Sequence, residues 1–299
     1  MNPPSTQSPI LTVHGIHKSY LGKRILDDIS LSIQPGTFYV LLGRNGVGKS
    51  TLMRILMRHE APDSGNGVAF GLPMSGNDQS MNEHIGYVSE AIEYGVNDSI
   101  EGFFRKYGRF YPRWNSDLFT SFIRRFGIDP KRNHAELSRG QKMQVAFSAA
   151  IAIQPRLLFL DEITSVLDAS ARSHVMGYLS EFCRQGGSVV MATNIVSEIE
   201  HQAAHLWLLE KQRIQINLPM KEVKTHYLKL RKQDQTTNPV FQNPACIPVA
   251  INSDGSTSYV LPKESVDEAS MEESLLDRRE VTSEELFIFF TRKEGVSHL

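Results

Sequence analysis

The residues Gly43-Arg44-Asn45-Gly46-Val47-Gly48-Lys49-Ser50 fit the spacing G-x-x-x-x-G-K-[ST], and Thr51 follows them. Backbone N–H groups of such a loop surround polyphosphate oxygens at the positive end of the following helix. Lys49 is suited to neutralise the β and γ phosphates and Ser50 to ligate Mg²⁺, so the implied ligand is a nucleoside triphosphate. A second constellation is Leu157-Leu158-Phe159-Leu160-Asp161-Glu162, an apolar run that ends in two carboxylates. Asp161 is suited to hold Mg²⁺ through water, and Glu162 to orient or deprotonate an attacking water.

These side chains need strands to deliver them and a helix to receive the loop. The run Thr37 to Leu42 reads as a short buried strand that enters the glycine-rich loop, and Ser50 to Arg58 has helical periodicity. Ile10 to Val13 and Ile29 to Ile33 read as strands, and Gln34-Pro35-Gly36 as a turn. From about Ser99 to Gln154 the pattern is helical, which predicts an inserted helical subdomain. Arg156 to Leu160 resumes a buried strand. It is followed by a helix over Ser170 to Gln185, a strand over Ser188 to Thr193, a helix over Val196 to Gln202 and a strand over Leu206 to Glu210. Alternation of this kind predicts an α/β fold around a mostly parallel sheet.

A third constellation, Leu137-Ser138-Arg139-Gly140-Gln141, precedes a predicted helix. Here the sequence resembles the signature motif of ATP-binding-cassette (ABC) ATPases, and the resemblance covers about residues 10 to 215. The motif order is phosphate loop, helical insertion, signature, Asp-Glu strand, then Ser165-Val166-Leu167-Asp168 where the family has its D-loop. The resemblance implies a P-loop NTPase of the ABC type, with a mixed core sheet and an inserted helical subdomain over about 99–154. Residues 1–9 are expected to be a disordered lead and 216–299 a small C-terminal accessory region. The family's signature caps the γ-phosphate held by the opposite subunit. Ser138, Arg139, Gly140 and Gln141 are therefore expected to act in trans, and ATP with Mg²⁺ is the expected cofactor pair. Tyr20 matches the family's adenine-stacking aromatic.

Three departures from the family pattern bear on activity. Glu90 stands where the family usually has a glutamine, and a carboxylate there can still reach Mg²⁺ or its water. Arg139 replaces a glycine of the signature. Asn194, in Val189-Val190-Met191-Ala192-Thr193-Asn194, stands at the switch histidine. Asparagine donates a hydrogen bond but does not become cationic, so the catalytic pair Glu162 and Asn194 predicts slow turnover, or a heterodimer whose partner carries the more competent site. The other reading is that asparagine substitutes with little loss.

Thirty-two Lys and Arg against 33 Asp and Glu give a formal charge of −1, so no global field steers this chain to nucleic acid or an anionic membrane. Cys183 and Cys246 are too few for a disulfide framework or a zinc cluster, which suits a reducing compartment. Apolar stretches near Ala149 to Ile153 and Leu157 to Leu160 fall short of the ~18 residues of a spanning helix, and MNPPSTQSP has no secretory pattern. The expected location is cytoplasmic, at the inner face of the membrane through a permease subunit. Phe103 to Trp114 mixes basic and aromatic residues. It is read as contact with that membrane subunit, with a plain helix face and a nucleic-acid surface as the weaker readings; FYPRW resembles a subgroup of ABC-2 exporter ATPases. Thr282 to Phe290 resembles the final helix of exporter-type subunits. The expected function is the ATP-hydrolysing subunit of an ABC transporter, an exporter, working as a homodimer or with a homologous ATPase through dimer closure and opening. The competing readings are a non-transport ABC protein and an ATP-gated regulator with slow or absent turnover.

Overall fold

The computed structural model describes residues 8–76, 79–89, 98–194, 203–232 and 238–266, together with 281, 282, 285, 286, 288 and 289. The chain opens with an antiparallel hairpin, β1 (Leu11–Tyr20) and β2 (Lys23–Ile33). Its two turn residues, Leu21 and Gly22, have φ 49° and 80°. Paired positive φ matches the right-handed twist of the flanking strands. β1 runs well past the Ile10 to Val13 segment expected of it, because a register shift between Val13 and Ile16 carries the strand through polar residues. Next come β3 (Phe38–Leu42), α1 (Lys49–Leu56), β4 (Ser64–Ala69), β5 (Leu72–Pro73) and β6 (Ile85–Ser89). The insertion contributes α2 (Ile100–Tyr107), α3 (Ser116–Arg125) and α4 (Arg139–Ala152). The core resumes with β7 (Leu157–Asp161), α5 (Ala169–Arg184), β8 (Ser188–Thr193), β9 (His205–Glu210) and β10 (Arg213–Pro219). The helix expected over Val196 to Gln202 lies outside the described residues.

The central sheet has six strands in the order β10-β9-β3-β8-β7-β6. β9, β3, β8, β7 and β6 pair in parallel, and β10 closes the edge antiparallel to β9. The sheet is therefore mixed. β3 and β8 are buried at every residue, as strands covered on both faces must be. Alternate residues separate cleanly: Phe38, Val40 and Leu42 pack with Leu158, Leu160 and the helices α4 and α5. Tyr39 and Leu41 instead pack with Phe159, Trp207, helix α1 and the antiparallel sheet β2-β1-β4-β5. The period of two along each strand thus divides the core into two compartments.

α4 is buried on two sides, with Met143, Phe147 and Ile151 toward the sheet and Val145, Ala149 and Ala152 toward α2 and α3. A helix buried this fully loses the one-sided apolar stripe. Within the insertion, Trp114 sits 6.2 Å from Phe104 and 5.5 Å from Phe119 by ring centroids, so part of the aromatic segment is its core. Phe110 stands 81% exposed.

Beyond β10, which straddles residue 215, the chain forms α6 (Met220–His226), β11 (Tyr227–Lys232), β12 (Ile247–Ile251) and β13 (Thr257–Pro262). The three strands make a small sheet in the order β11-β13-β12 that the sequence pattern did not announce. Its Val260, Ile247 and Val249 join the main core together with Leu286 and Phe289. Glu285 accepts from the Thr282 N–H at 2.9 Å, and the Thr282 hydroxyl accepts from the Glu285 N–H at 3.1 Å, a reciprocal cap at the start of the expected last helix.

Candidate functional site

β3 ends in the sheet interior at Leu42, and the chain must turn sharply into α1. Glycine is required at two points. A Cβ on Gly43 would lie 2.6 Å from the Leu209 carbonyl oxygen, and Gly48, with φ 115°, would bring one to 2.9 Å from Ile25 Cγ2. Gly48 caps α1, whose first turn carries no acidic residue. The unpaired N–H groups and the helix dipole at that end favour an anion. Lys49 is 5% exposed. Its ammonium donates to the carbonyls of Gly43 at 2.9 Å and Arg44 at 3.3 Å and stands 3.4 Å from Glu162 Oε1.

The partners come from the neighbouring parallel strands. β7 delivers Asp161, which is hydrogen-bonded to Ser50. Burial pushes the Asp161 carboxyl above its usual range, the Ser50 bond pulls it back, and the charge of Glu162 pushes it up again. Glu162 follows with φ 53°, a left-handed backbone that turns its side chain toward Lys49. Its N–H donates to the Ala192 carbonyl at 3.0 Å, which ties this turn to the end of β8. Asn194, one residue beyond β8, donates from Nδ2 to Asn45 Oδ1 at 3.1 Å. Residue 194 therefore already touches the glycine-rich loop.

One cleft of about 590 Å³ is bordered by Asn45, Gly46, Gly48, Lys49, Ser50 and Thr51, and also by Asp161, Glu162 and Tyr20. Gly43, Arg44 and Val47 shape the loop from behind; the Val47 N–H donates to the Arg44 carbonyl at 3.2 Å. Glu90 lies outside the described residues, though Ser89, just before it, borders the cleft. Sequence reasoning missed Arg54 and Tyr87, which also border it. Arg54 is four residues after Ser50 on α1 and so shares its face, a spacing that was readable.

Ser138, Arg139, Gly140 and Gln141 lie apart from this cleft. The Ser138 hydroxyl accepts from the Gln141 N–H at 3.2 Å while Gln141 Oε1 accepts from the Ser138 N–H at 3.1 Å, a capping box that starts α4. Arg139 is exposed, and Gly140 passes so close to the turn after β7 that a Cβ would lie 2.9 Å from the Val166 carbonyl oxygen. Asp168 caps α5, accepting from the Ala171 N–H at 2.8 Å. None of these residues borders the cleft.

The cleft offers a dried cation and open N–H groups for an anion, and beside them a hydroxyl and two carboxylates. That oxygen set suits a hard divalent cation that keeps part of its water.

A family model described as ABC transporter matches residues 26–165. The Nod factor export ATP-binding protein I of Rhizobium leguminosarum bv. viciae is 30% identical over 218 residues, covering 71% of this chain and 70% of that protein. The ABC transporter ATP-binding protein YtrB of Bacillus subtilis (strain 168) is 24% identical over 284 residues, covering 93% and 97%. The fold is shared with the dimeric ATP-binding cassette MJ0796 bound to ADP and Pi, at TM-score 0.64 and 19% identity, covering 70% of this chain and 98% of that one.

Proposed function

This chain belongs to the ABC transporter family as an ATP-binding subunit and ATPase, and from that premise we propose how its own residues work. The loop 43–51 holds the triphosphate, with Lys49 against the β and γ phosphates and Tyr20 stacking on the base. Ser50 and Asp161 hold Mg²⁺ together with Glu90, and the bound ion would draw charge from the phosphate oxygens. Glu162 orients and deprotonates the attacking water, and Asn194 donates to the γ-phosphate or to that water. The observation that carries this reading is the 3.4 Å approach of the Lys49 ammonium to Glu162 Oε1. It joins the phosphate cation and the general base across one cleft.

Ser138, Arg139, Gly140 and Gln141 cap the nucleotide of a second ATPase subunit, in a head-to-tail pair that closes on ATP and opens after hydrolysis. Their distance from the cleft of their own chain supports an action in trans, with Asp168 in the D-loop near that junction. We place the ATPase domain at about 10–215, the helical subdomain at about 99–154, and an accessory region from 216 onward. The subunit sits in the cytoplasm against an integral membrane permease that the helical subdomain contacts. Exposed Phe110 supports that contact, as does a groove of about 570 Å³ lined by Phe103, Tyr107 and Tyr111. Among the described residues, no helix is long and apolar enough to cross a membrane. Export is the direction favoured, because the Rhizobium relative is named for export.

A second reading, an ATP-gated regulator with slow or absent turnover, is favoured only by the neutral Asn194. The test of the motor is Mg²⁺-dependent ATP hydrolysis by the full chain and by Glu162→Gln. Loss of a positioned general base slows turnover by about 10²–10⁴-fold, and ATP binding is retained. Turnover that survives in the variant refutes the assignment of Glu162. ATP binding by the wild type with no turnover favours the regulator.

A further inference from the structure

Tyr20 stands at the tip of the β1–β2 hairpin beside Leu21, which is fully exposed. An aromatic on such a tip would normally sample several rotamers and would have to be ordered by its ligand. Here the tip is tied down by α1 and by the segment that follows it. The Tyr20 hydroxyl donates to Glu60 Oε1 and accepts from Arg54 Nη2 at 3.3 Å. Arg54 Nε donates to Glu60 Oε2 at 3.1 Å, which closes a three-membered ring of hydrogen bonds. The adjoining backbone is held as well: the Ser19 N–H donates to Asp63 Oδ2 at 2.7 Å, and the Lys18 ammonium donates to the Ala61 carbonyl at 2.7 Å. That ammonium also lies 3.0 Å from Glu60 Oε1 and 5.4 Å from the centre of the Tyr20 ring. One face of the ring is thus occupied by a cation, a favourable place for it. Arg54 additionally reaches the Thr51 hydroxyl, at 3.4 Å, in the first turn after the phosphate loop.

We propose that Arg54 and Glu60 are positioning residues for the nucleobase: they clamp the Tyr20 hydroxyl so that the ring face not covered by Lys18 is fixed at the mouth of the cleft. This rests on the reading of Tyr20 as the base platform. The hydroxyl then serves anchoring rather than base recognition. Arg54 belongs to the same helix as Ser50 and Thr51, so the distance between platform and phosphate loop is set before any nucleotide enters. Ordering one mobile side chain on binding corresponds to about a three- to tenfold change in affinity, which a ring already clamped avoids.

The test is equilibrium binding of ATP and of inorganic tripolyphosphate, which has no base, to the full chain and to Arg54→Ala, Tyr20→Phe, their double variant and Tyr20→Ala. Arg54→Ala and Tyr20→Phe each weaken ATP about three- to tenfold and tripolyphosphate less than about twofold, and the double variant is no weaker than the weaker single one. Equal weakening of both ligands by Arg54→Ala overturns the proposal, since Arg54 would then act on phosphate or on the fold. Additive losses in the double variant overturn it too, because the two groups would not share one clamp. Tyr20→Phe keeps the ring and its packing, so a folding defect in Arg54→Ala does not hide the answer. Tyr20→Ala separates the two levels. If it leaves the ratio of ATP to tripolyphosphate affinity unchanged, the platform itself is wrong. If it lowers that ratio while Arg54→Ala does not, the platform stands and the clamp fails.

Discussion

Replacing Asn194 with histidine asks whether a neutral donor limits turnover. Asn194 is exposed, and its amide already donates to Asn45 Oδ1 at 3.1 Å, so a side chain at this position meets the phosphate loop without rebuilding the end of β8. A neutral hydrogen bond contributes about 0.5–1.5 kcal/mol net, and one to or from a charged donor about 1.5–3 kcal/mol. Where the acceptor is the neutral attacking water, the gain on placing an imidazolium there is about 1–1.5 kcal/mol, or about five- to twelvefold in kcat. Solvent exposure and salt screening push the result toward the lower end. The assay is kcat for Mg²⁺-ATP hydrolysis between pH 6 and 8 for wild type and Asn194→His, each with a Glu162→Gln counterpart as blank. Because the extra contribution needs the protonated ring, whose ordinary pKa is about 6.5, the ratio of variant to wild type is largest near pH 6 and declines as pH rises. A variant no faster than wild type at any pH, or a ratio that does not change with pH, refutes the argument that a missing charge limits this site.

Burial, as the largest influence, holds the Asp161 carboxyl above its usual range. Its contribution to stability is therefore present below the unfolded pKa and is lost as pH rises through the folded one. Asp161→Asn is expected to raise the melting temperature of the nucleotide-free chain at pH 7, by about 2–4 °C for each ~1 kcal/mol relieved, with the difference vanishing below about pH 4. A lower melting temperature at pH 7 would contradict this. Lys229 and Glu285 form an ion pair at 2.5 Å with side chains only 7% and 10% exposed. Glu285→Ala strands a buried ammonium and removes the Thr282 cap, an expected loss of about 3 kcal/mol by urea denaturation. Lys229→Met combined with Glu285→Leu recovers most of it, and a loss below about 0.5 kcal/mol in the single variant would place it among ordinary surface changes.

The chemistry was legible where residue type and spacing together demand one backbone. Gly43 to Ser50 announced its loop because glycines are required at two crowded points, and β7 announced itself because a strand buried on both faces is apolar throughout. Tertiary placement was not legible. Arg54 looks like an ordinary basic residue near the end of an amphipathic helix; the turn after α1 brings Glu60 back to it, and only the fold of the β1–β2 hairpin over α1 brings Tyr20. β1 was cut short because His14, His17 and Lys18 interrupt the alternation while the strand continues through a bulge. The small C-terminal sheet was hidden for a different reason. β11 turns a lysine inward at Lys229, and β12 contains Pro248, so neither carries the apolar alternation by which strands are read. The pairing of Lys229 with Glu285, 56 positions later, is what makes an inward lysine tolerable, and no local window contains both.

Lys49 gives the cleft a thermodynamic memory of its folding. Its ammonium is already stripped of water and held by two carbonyls and a carboxylate, so the desolvation that an exposed lysine would undergo on meeting an anion is settled when the chain folds. An entering anion replaces weak internal partners with a stronger one and needs little rearrangement to do so. The stability of the chain measured without ligand understates that of the working form, by an amount that grows with ligand concentration and affinity.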